Sequence, residues 1–351
     1  MLLCSCVLLA AAAKPPSPPP PTVGVAFSGA FTDYAVLQRA TETTSLVAVY
    51  GFCGAVGNQL SSNLVTGVCT YKAGASVEVT LEGFPPVTSP IGADGSWKAM
   101  LPAQPAGGTF SLSAACTTGC ASSSATTLQN LTFGDVYFCS GGYLTSVPTS
   151  VPTSFLTPDL CSGQSNMWLP MEHTFTRNES VAAIKAGKYH NIRMMTAISL
   201  ASPEPAYVTN RSARGGGDPN FPTDKKESLS PDGSAWATAA QMASGISPGK
   251  HNAWGGYNNS FNQSSLNLYS AACFYFAQSL TDLIGEEVPL GLITSAWGGT
   301  MIESWADNST LSSCPPTGQR VSGANGLLYN GMVLPYVNMS LRGFIWYAIL
   351  D

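Results

Sequence analysis

Charged side chains are scarce in this 351-residue chain: 10% of residues are Asp, Glu, Lys or Arg, and 15 basic residues against 20 acidic ones leave a formal net charge of −5. No long Lys/Arg run occurs, which removes the electrostatic case for nucleic acid as a partner. Histidine is scarcer still. The three copies, His173, His190 and His251, read as ordinary polar loop or helix-end residues, with His173 closest to the segment that matters most below. Long apolar runs are missing too. The best, Leu2 to Ala13, falls short of the roughly 20 residues a bilayer span needs. It ends in four alanines and is followed by Lys14 and a proline tract from Pro15 to Pro21. Residues 1–13 therefore read as a signal peptide with a small-residue cleavage site, and 14–22 as a proline-rich linker. A secreted or lysosomal protein with no membrane span is expected.

What the chain has in quantity fits that compartment. Glycine, serine, threonine and proline abound beside 44% hydrophobic residues, a composition suited to loop-rich secreted β structure and ample for two cores. Asn130, Asn178, Asn210, Asn258, Asn262, Asn308 and Asn338 each open an Asn-x-Ser/Thr triplet without proline at x, the acceptor pattern for N-glycosylation. Beyond the leader stand Cys53, Cys69, Cys116, Cys120, Cys139, Cys161, Cys273 and Cys314, an even set compatible with disulfides. Cys116 and Cys120 are close enough to bridge locally; the other pairings stay open. No second Cys/His pair of metal-ligand spacing accompanies them, so neither a metal nor a cofactor is called for.

Residues 23–128 read as short strands separated by turns. Ala35–Leu37, Leu46–Tyr50, Ser76–Leu81, Trp97–Leu101 and Thr109–Ala114 are the candidates, and Ser76–Leu81 alternates with period two. A β-sandwich or jelly-roll-like domain follows. Trp97, Tyr50 and Tyr71 are its available sugar-stacking faces if it binds carbohydrate, although a purely structural module is the commoner case. From 129 to 351 strands alternate with helices: a strand at Asn191–Met195, a helix from Asn267 to Ile284, a buried parallel strand at Val288–Ile293, a helix from Asn325 to Met339 interrupted at Pro335, and a strand at Gly343–Tyr347. Such alternation predicts a three-layer α/β/α sandwich whose ligands sit at the carboxyl ends of its strands. The last strand leaves that sandwich incomplete, with an open edge.

The segment Cys161-Ser162-Gly163-Gln164-Ser165-Asn166-Met167-Trp168-Leu169-Pro170 sets a small serine between residues that favour a sharp strand-to-helix turn. A serine hydroxyl becomes nucleophilic only when a base takes its proton and nearby N–H groups receive the oxyanion that forms. Ser165 is thus a candidate nucleophile and only part of a site; the bland alternative is a serine that caps a helix. Trp297-Gly298-Gly299-Thr300-Met301-Ile302-Glu303-Ser304-Trp305 also follows a predicted strand, so both segments open onto one sheet edge. Its bland reading is a Gly-Gly tight turn, and for Trp168, Trp297 and Trp305 it is ordinary core packing.

Together these segments resemble the first two blocks of the SGNH hydrolases. In its Gly-Gln-Ser-Asn-Met form the first is similar to the sialate O-acetylesterase family of carbohydrate acetylesterases. Phe31–Arg39, Asp94–Trp97 with Leu101-Pro102 and Gly107-Gly108, and Phe133–Tyr137 resemble further family segments in the same order, over roughly residues 27–347. The resemblance implies hydrolysis of O-acetyl groups on a carbohydrate partner. It assigns Ser165 as nucleophile, Gly299 as an oxyanion N–H donor, and Gln164, Asn166, Trp297, Gly298 and Glu303 as residues around the substrate.

Two departures stand out. Cys139-Ser140-Gly141 is repeated 22 positions later as Cys161-Ser162-Gly163, across an insertion at about 140–161 that contains the proline-bearing repeats Ser146–Thr149 and Ser150–Thr153. We expect that insertion to be foreign to the fold, and if real to cut the strand near 135–139 off from the serine turn unless Ser154–Leu160 replaces it. The family's catalytic Asp-x-x-His is also missing. Pro170, Gly187 and Pro248 precede the three histidines by three positions, so none inherits the role of base, and these residues alone are expected to be inactive. An acetylxylan or other polysaccharide deacetylase and a noncatalytic glycan-binding homologue are the alternatives.

Overall fold

A computed structural model describes residues 24–53, 71–120, 125–143, 163–197, 235–244, 266–307, 309–310 and 326–347. The leader, the linker, most of the insertion, His251, Asn210, Asn258, Asn262, Asn308, Cys69, Cys161 and Cys314 lie outside the described residues.

The first half of the chain is all strand. β1 (Val25–Phe27), β3 (Leu46–Cys53) and β6 (Ser96–Pro102) form a three-stranded sheet whose two pairings are antiparallel; β2 (Val36–Gln38), β4 (Tyr71–Leu81), β5 (Val87–Pro90), β7 (Gly107–Cys120) and β8 (Ala125–Tyr143) enter a second, larger sheet. Along β6 every second residue, Trp97, Ala99 and Leu101, is buried, while Lys98 and Met100 face outward. Val77, Val79 and Leu81 of β4 do the same, so the two inner faces meet in one apolar cluster and form a sandwich. Trp97 is 2% exposed and packs edge-on against Phe27, and Tyr50 is 7% exposed. Both rings are therefore core, which removes Trp97 and Tyr50 as sugar-stacking faces; the Tyr71 side chain lies outside the description. Cys116 and Cys120 bridge locally within β7.

The second half adds α1 (Gly163–Trp168), α2 (Arg177–Lys185), β9 (Ile192–Thr196), β10 (Ala237–Thr238), α3 (Ala239–Ala243), α4 (Ala271–Ile284), β11 (Leu290–Met301) and β12 (Gly343–Trp346). β9, β11 and the C-terminal half of β8 run parallel, β12 is parallel to β8 on its other flank, and β10 closes the β9 edge antiparallel. One face of these strands is covered by α1 to α4 through Met167, Val181, Met242, Phe274 and Ala277. The three-layer expectation is met only in part. The opposite face carries Val136, Phe138, Ile293 and Met195, and it packs into the core of the β-sandwich together with Trp236, Tyr336 and Met339. Among the described residues its only helical cover is a π turn at Tyr329–Val333 and a 3₁₀ turn at Leu334–Tyr336. A regular helix was expected across Asn325–Met339; Gly331 and Pro335 work against it, the proline because it supplies no N–H to the ladder.

β8 is the hinge of this design. It runs straight through position 128, where a domain boundary was expected, because Ala125–Leu131 pairs with β7. Up to Gly134 its neighbours are β7 and β2; from Asp135 onward they are β11 and β12. The changeover is pinned by one carboxylate. Asp135, 4% exposed, accepts from Arg39 Nε at 2.9 Å and Nη2 at 3.0 Å and from Gln38 Nε2 at 3.2 Å, while Gln38 Oε1 accepts from the Val136 N–H at 3.0 Å. Gly134 is required beside it, since a Cβ there would collide with the Pro289 carbonyl oxygen that receives the Asp135 N–H. Asp135 is buried while Arg39 is partly exposed, so stranding the carboxylate is the costlier way to halve the bidentate pair, because it keeps its desolvation penalty. Arg39→Ala is expected to lower the unfolding free energy by about 3 kcal/mol, Asp135→Ala by less, and Arg39→Lys to recover only part of what Arg39→Ala loses; urea denaturation of the four proteins measures all three.

Candidate active site

The serine turn is fastened from beneath. α1 packs on the carboxyl ends of β8 and β11 and against α4. Its fifth residue, Met167, is fully buried, whereas Asn166 and Trp168 are half-buried. Ser270 caps α4 by accepting from the Cys273 N–H at 3.2 Å and donates its hydroxyl hydrogen to the Met167 carbonyl. The Ala271 N–H reaches Leu169 O at 2.8 Å, and the Met171 N–H reaches Tyr269 O at 2.9 Å. The end of α1 and the start of α4 are thus one hydrogen-bonded unit, in which Gln164 and Ser165 occupy the second and third helical positions. Gly141 allows this approach. A side chain there would meet the Tyr347 carbonyl oxygen and lie 3.2 Å from Met167 Cβ.

The insertion does not cut this turn off. β8 continues through the first Cys-Ser-Gly to Tyr143, the second supplies Gly163 as the first residue of α1, and α1 still sits against β8. Ser154–Leu160 lies outside the described residues, which resume at Gly163.

The second segment begins within β11, whose final residues include Gly298 and Gly299, and runs on into the turn Ile302–Trp305. Here the side chains form a relay. Thr300 Oγ1 donates to the Trp297 carbonyl at 2.9 Å and accepts from Trp305 Nε1 at 2.8 Å. Thr300 and Trp305 are buried, and Trp297 packs beside Trp305, Leu328 and Met332. This interlock fixes the backbone on both sides of Gly298-Gly299, the arrangement an N–H donor needs if it is to be oriented before charge develops. Motif reading missed it, since a hydroxyl bridge across a 3₁₀ turn has no period; the Thr immediately after Gly-Gly was the available signal. Glu303, in that turn (Ile302–Trp305), has a buried Oε2 with no hydrogen-bond partner.

Cys139, at the carboxyl end of β8, is disulfide-bonded to Cys273 on α4, 134 residues away. Of the two described histidines, His173 Nε2 lies 3.5 Å from Glu172 Oε1, and His190 pairs with Glu286 at the surface. Trp305 is 5% exposed and belongs to the core. Of the described acceptor asparagines, Asn130, Asn178 and Asn338 are all exposed. No helix among the described residues is long and apolar enough to cross a membrane.

The mixed sheet fused to a β-sandwich has a counterpart among solved structures. The fold is that of a carbohydrate acetylesterase: the crystal structure of one from Xanthomonas citri matches 92% of this chain and 50% of its own, with a TM-score of 0.54 and 22% identity. No family model matches. Sequence narrows the kinship, because the chain is homologous to sialate O-acetylesterases over 93% of its length. The Mus musculus protein is 24% identical over 361 residues, and a segment of 86 residues is 40% identical to the Homo sapiens protein, covering 22% of this chain and 16% of that relative. The chain spans about half the length of the curated relatives it matches end to end.

Two variants test how the site is held. Thr300→Val removes both bonds of the relay and is expected to cost about 2 kcal/mol, while Thr300→Ser, which keeps the hydroxyl, costs much less; denaturant titration followed by tryptophan fluorescence distinguishes them. Cys273→Ser is expected to cost about 2–4 kcal/mol, read as a drop in Tm.

Proposed function

We propose that this chain carries the nucleophile half of a secreted or lysosomal esterase that removes O-acetyl groups from sialic acid or a related sugar. In this reading Ser165 attacks the acetyl carbonyl, and the backbone N–H groups of Ser165 and Gly299 receive the oxyanion. Gln164, Asn166, Trp297 and Gly298 border the sugar. The unpaired Glu303 carboxylate oxygen takes a donor from it, since a buried polar atom without a partner is costly. The observation that carries the proposal is the meeting of α1 with the end of β11 on the carboxyl edge of the parallel strands, supported by the homology to sialate O-acetylesterases.

The base comes from outside these residues. No Asp-x-x-His occurs among the 351, and the relatives are about twice as long. A glycan-binding homologue without turnover is the second reading. A deacetylase of xylan or another polysaccharide shares the mechanism and differs only in the sugar.

Turnover of O-acetylated sialic acid and of acetylated xylo-oligosaccharide measures all three. The 351-residue chain is expected to release acetate no faster than its Ser165→Ala variant. The chain extended through an Asp-x-x-His segment is expected to be active on the sialate, and to lose on the order of 10⁶-fold in kcat on Ser165→Ala. Sugar binding without acetate release from the extended chain supports the noncatalytic reading and defeats the esterase; preference for xylan moves the substrate.

A further inference from the structure

A cleft of about 390 Å³ opens between the small sheet and the segment after the π turn, lined among others by Ser89, Ile91, Trp97, Lys98, Pro335 and Asn338. It shares no residue with the candidate active site. Asn338 opens an Asn-Met-Ser triplet and is exposed on a turn. Its Oδ1 accepts from Lys98 Nζ at 3.0 Å, which orients the amide and leaves Nδ2 available. The cleft combines apolar surface from Ile91 and Pro335 with polar groups from Ser96 and Lys98, the mixture that a sugar ring's two kinds of surface match. Trp97, which also lines it, has a buried Nε1–H with no acceptor. The other two exposed acceptors lack such a setting: Asn178 stands in the first turn of α2, and Asn130 sits at φ 59°. Neither of these lines the cleft.

We infer that Asn338 carries an N-linked glycan whose first N-acetylglucosamine lies in this cleft and seals the junction between the small sheet and Leu334–Asn338. In the attachment, Nδ2 loses one proton and bonds to the sugar's C1. The C1–oxygen bond to a polyprenyl-diphosphate donor breaks, and the diphosphate departs with the bonding pair. Oδ1 is not consumed, so Lys98 continues to anchor the modified amide and directs the sugar along the cleft.

The full-length protein secreted from a eukaryotic host under its own leader provides the test. Mass spectrometry is expected to find a hexosamine-containing glycan on the Asn338 peptide, and peptide-N-glycosidase treatment to convert that asparagine to aspartate. Hydrogen exchange at residues 89–98 is expected to run roughly fivefold faster after enzymatic removal of the glycan, and Asn338→Gln to match the deglycosylated protein. An unmodified Asn338, a chain that is not secreted, or exchange at 89–98 that is indifferent to glycan removal overturns the inference. Because the glycan is removed from already folded protein, a folding failure of Asn338→Gln leaves the exchange comparison intact.

Discussion

The Asp135 carboxylate stands where one long strand exchanges one set of neighbours for another, and the placement of everything downstream depends on it. Below it β8 is the inner strand of a β-sandwich; above it the same strand is the centre of a parallel sheet. A strand with side-chain alternation alone can slip in register, and a slip of one residue turns every side chain to the opposite face. Arg39 and Gln38 prevent that by gripping the side chain of Asp135 and the backbone of Val136 at once. With the register set, Ser140 lies opposite Ser295, Cys139 reaches Cys273, and Gly141 is where α1 comes closest to the sheet.

The site inherits its order from that alignment through two independent fasteners. On one side, Ser270 ties the carbonyl of Met167 to the first turn of α4; on the other, Thr300 ties the carbonyl of Trp297 to the indole of Trp305. Each uses a short buried hydroxyl as both donor and acceptor, a small group that satisfies two backbone or ring partners in a volume too tight for an amide. The consequence is a pair of loops whose backbones are held by side chains behind them, so that their outward-facing atoms need no support from a ligand.

Much of this was legible in residue order, and the failures have physical causes. Period-two alternation exposed β4, and the apolar run at 288–293 exposed β11. β5 escaped because Val87–Pro90 is four residues between prolines and reads as a turn. The start of β8 was misread because Thr126, Thr127, Gln129 and Asn130 look like loop residues until β7 pairs with them. The expected helix at 325–339 became π and 3₁₀ turns around Gly331 and Pro335. At the site, Ser165 and Gly299 stood out as motif members, but the disulfide and both hydroxyl fasteners join residues that only the folded chain brings together.

Sharing one strand between two sheets also has a cost in time. As a ribosome feeds out the chain, the N-terminal half of β8 can pair at once with β7, already made. The C-terminal half waits until β11 emerges about 150 residues later, roughly eight to thirty seconds at about 5–20 residues per second. Throughout that interval Val136, Phe138 and Cys139, all buried in the finished fold, lack the strand and helix neighbours that later cover them. Birth of this protein is therefore the moment at which it is most exposed to wrong partners, and the moment at which a chaperone has most to hold.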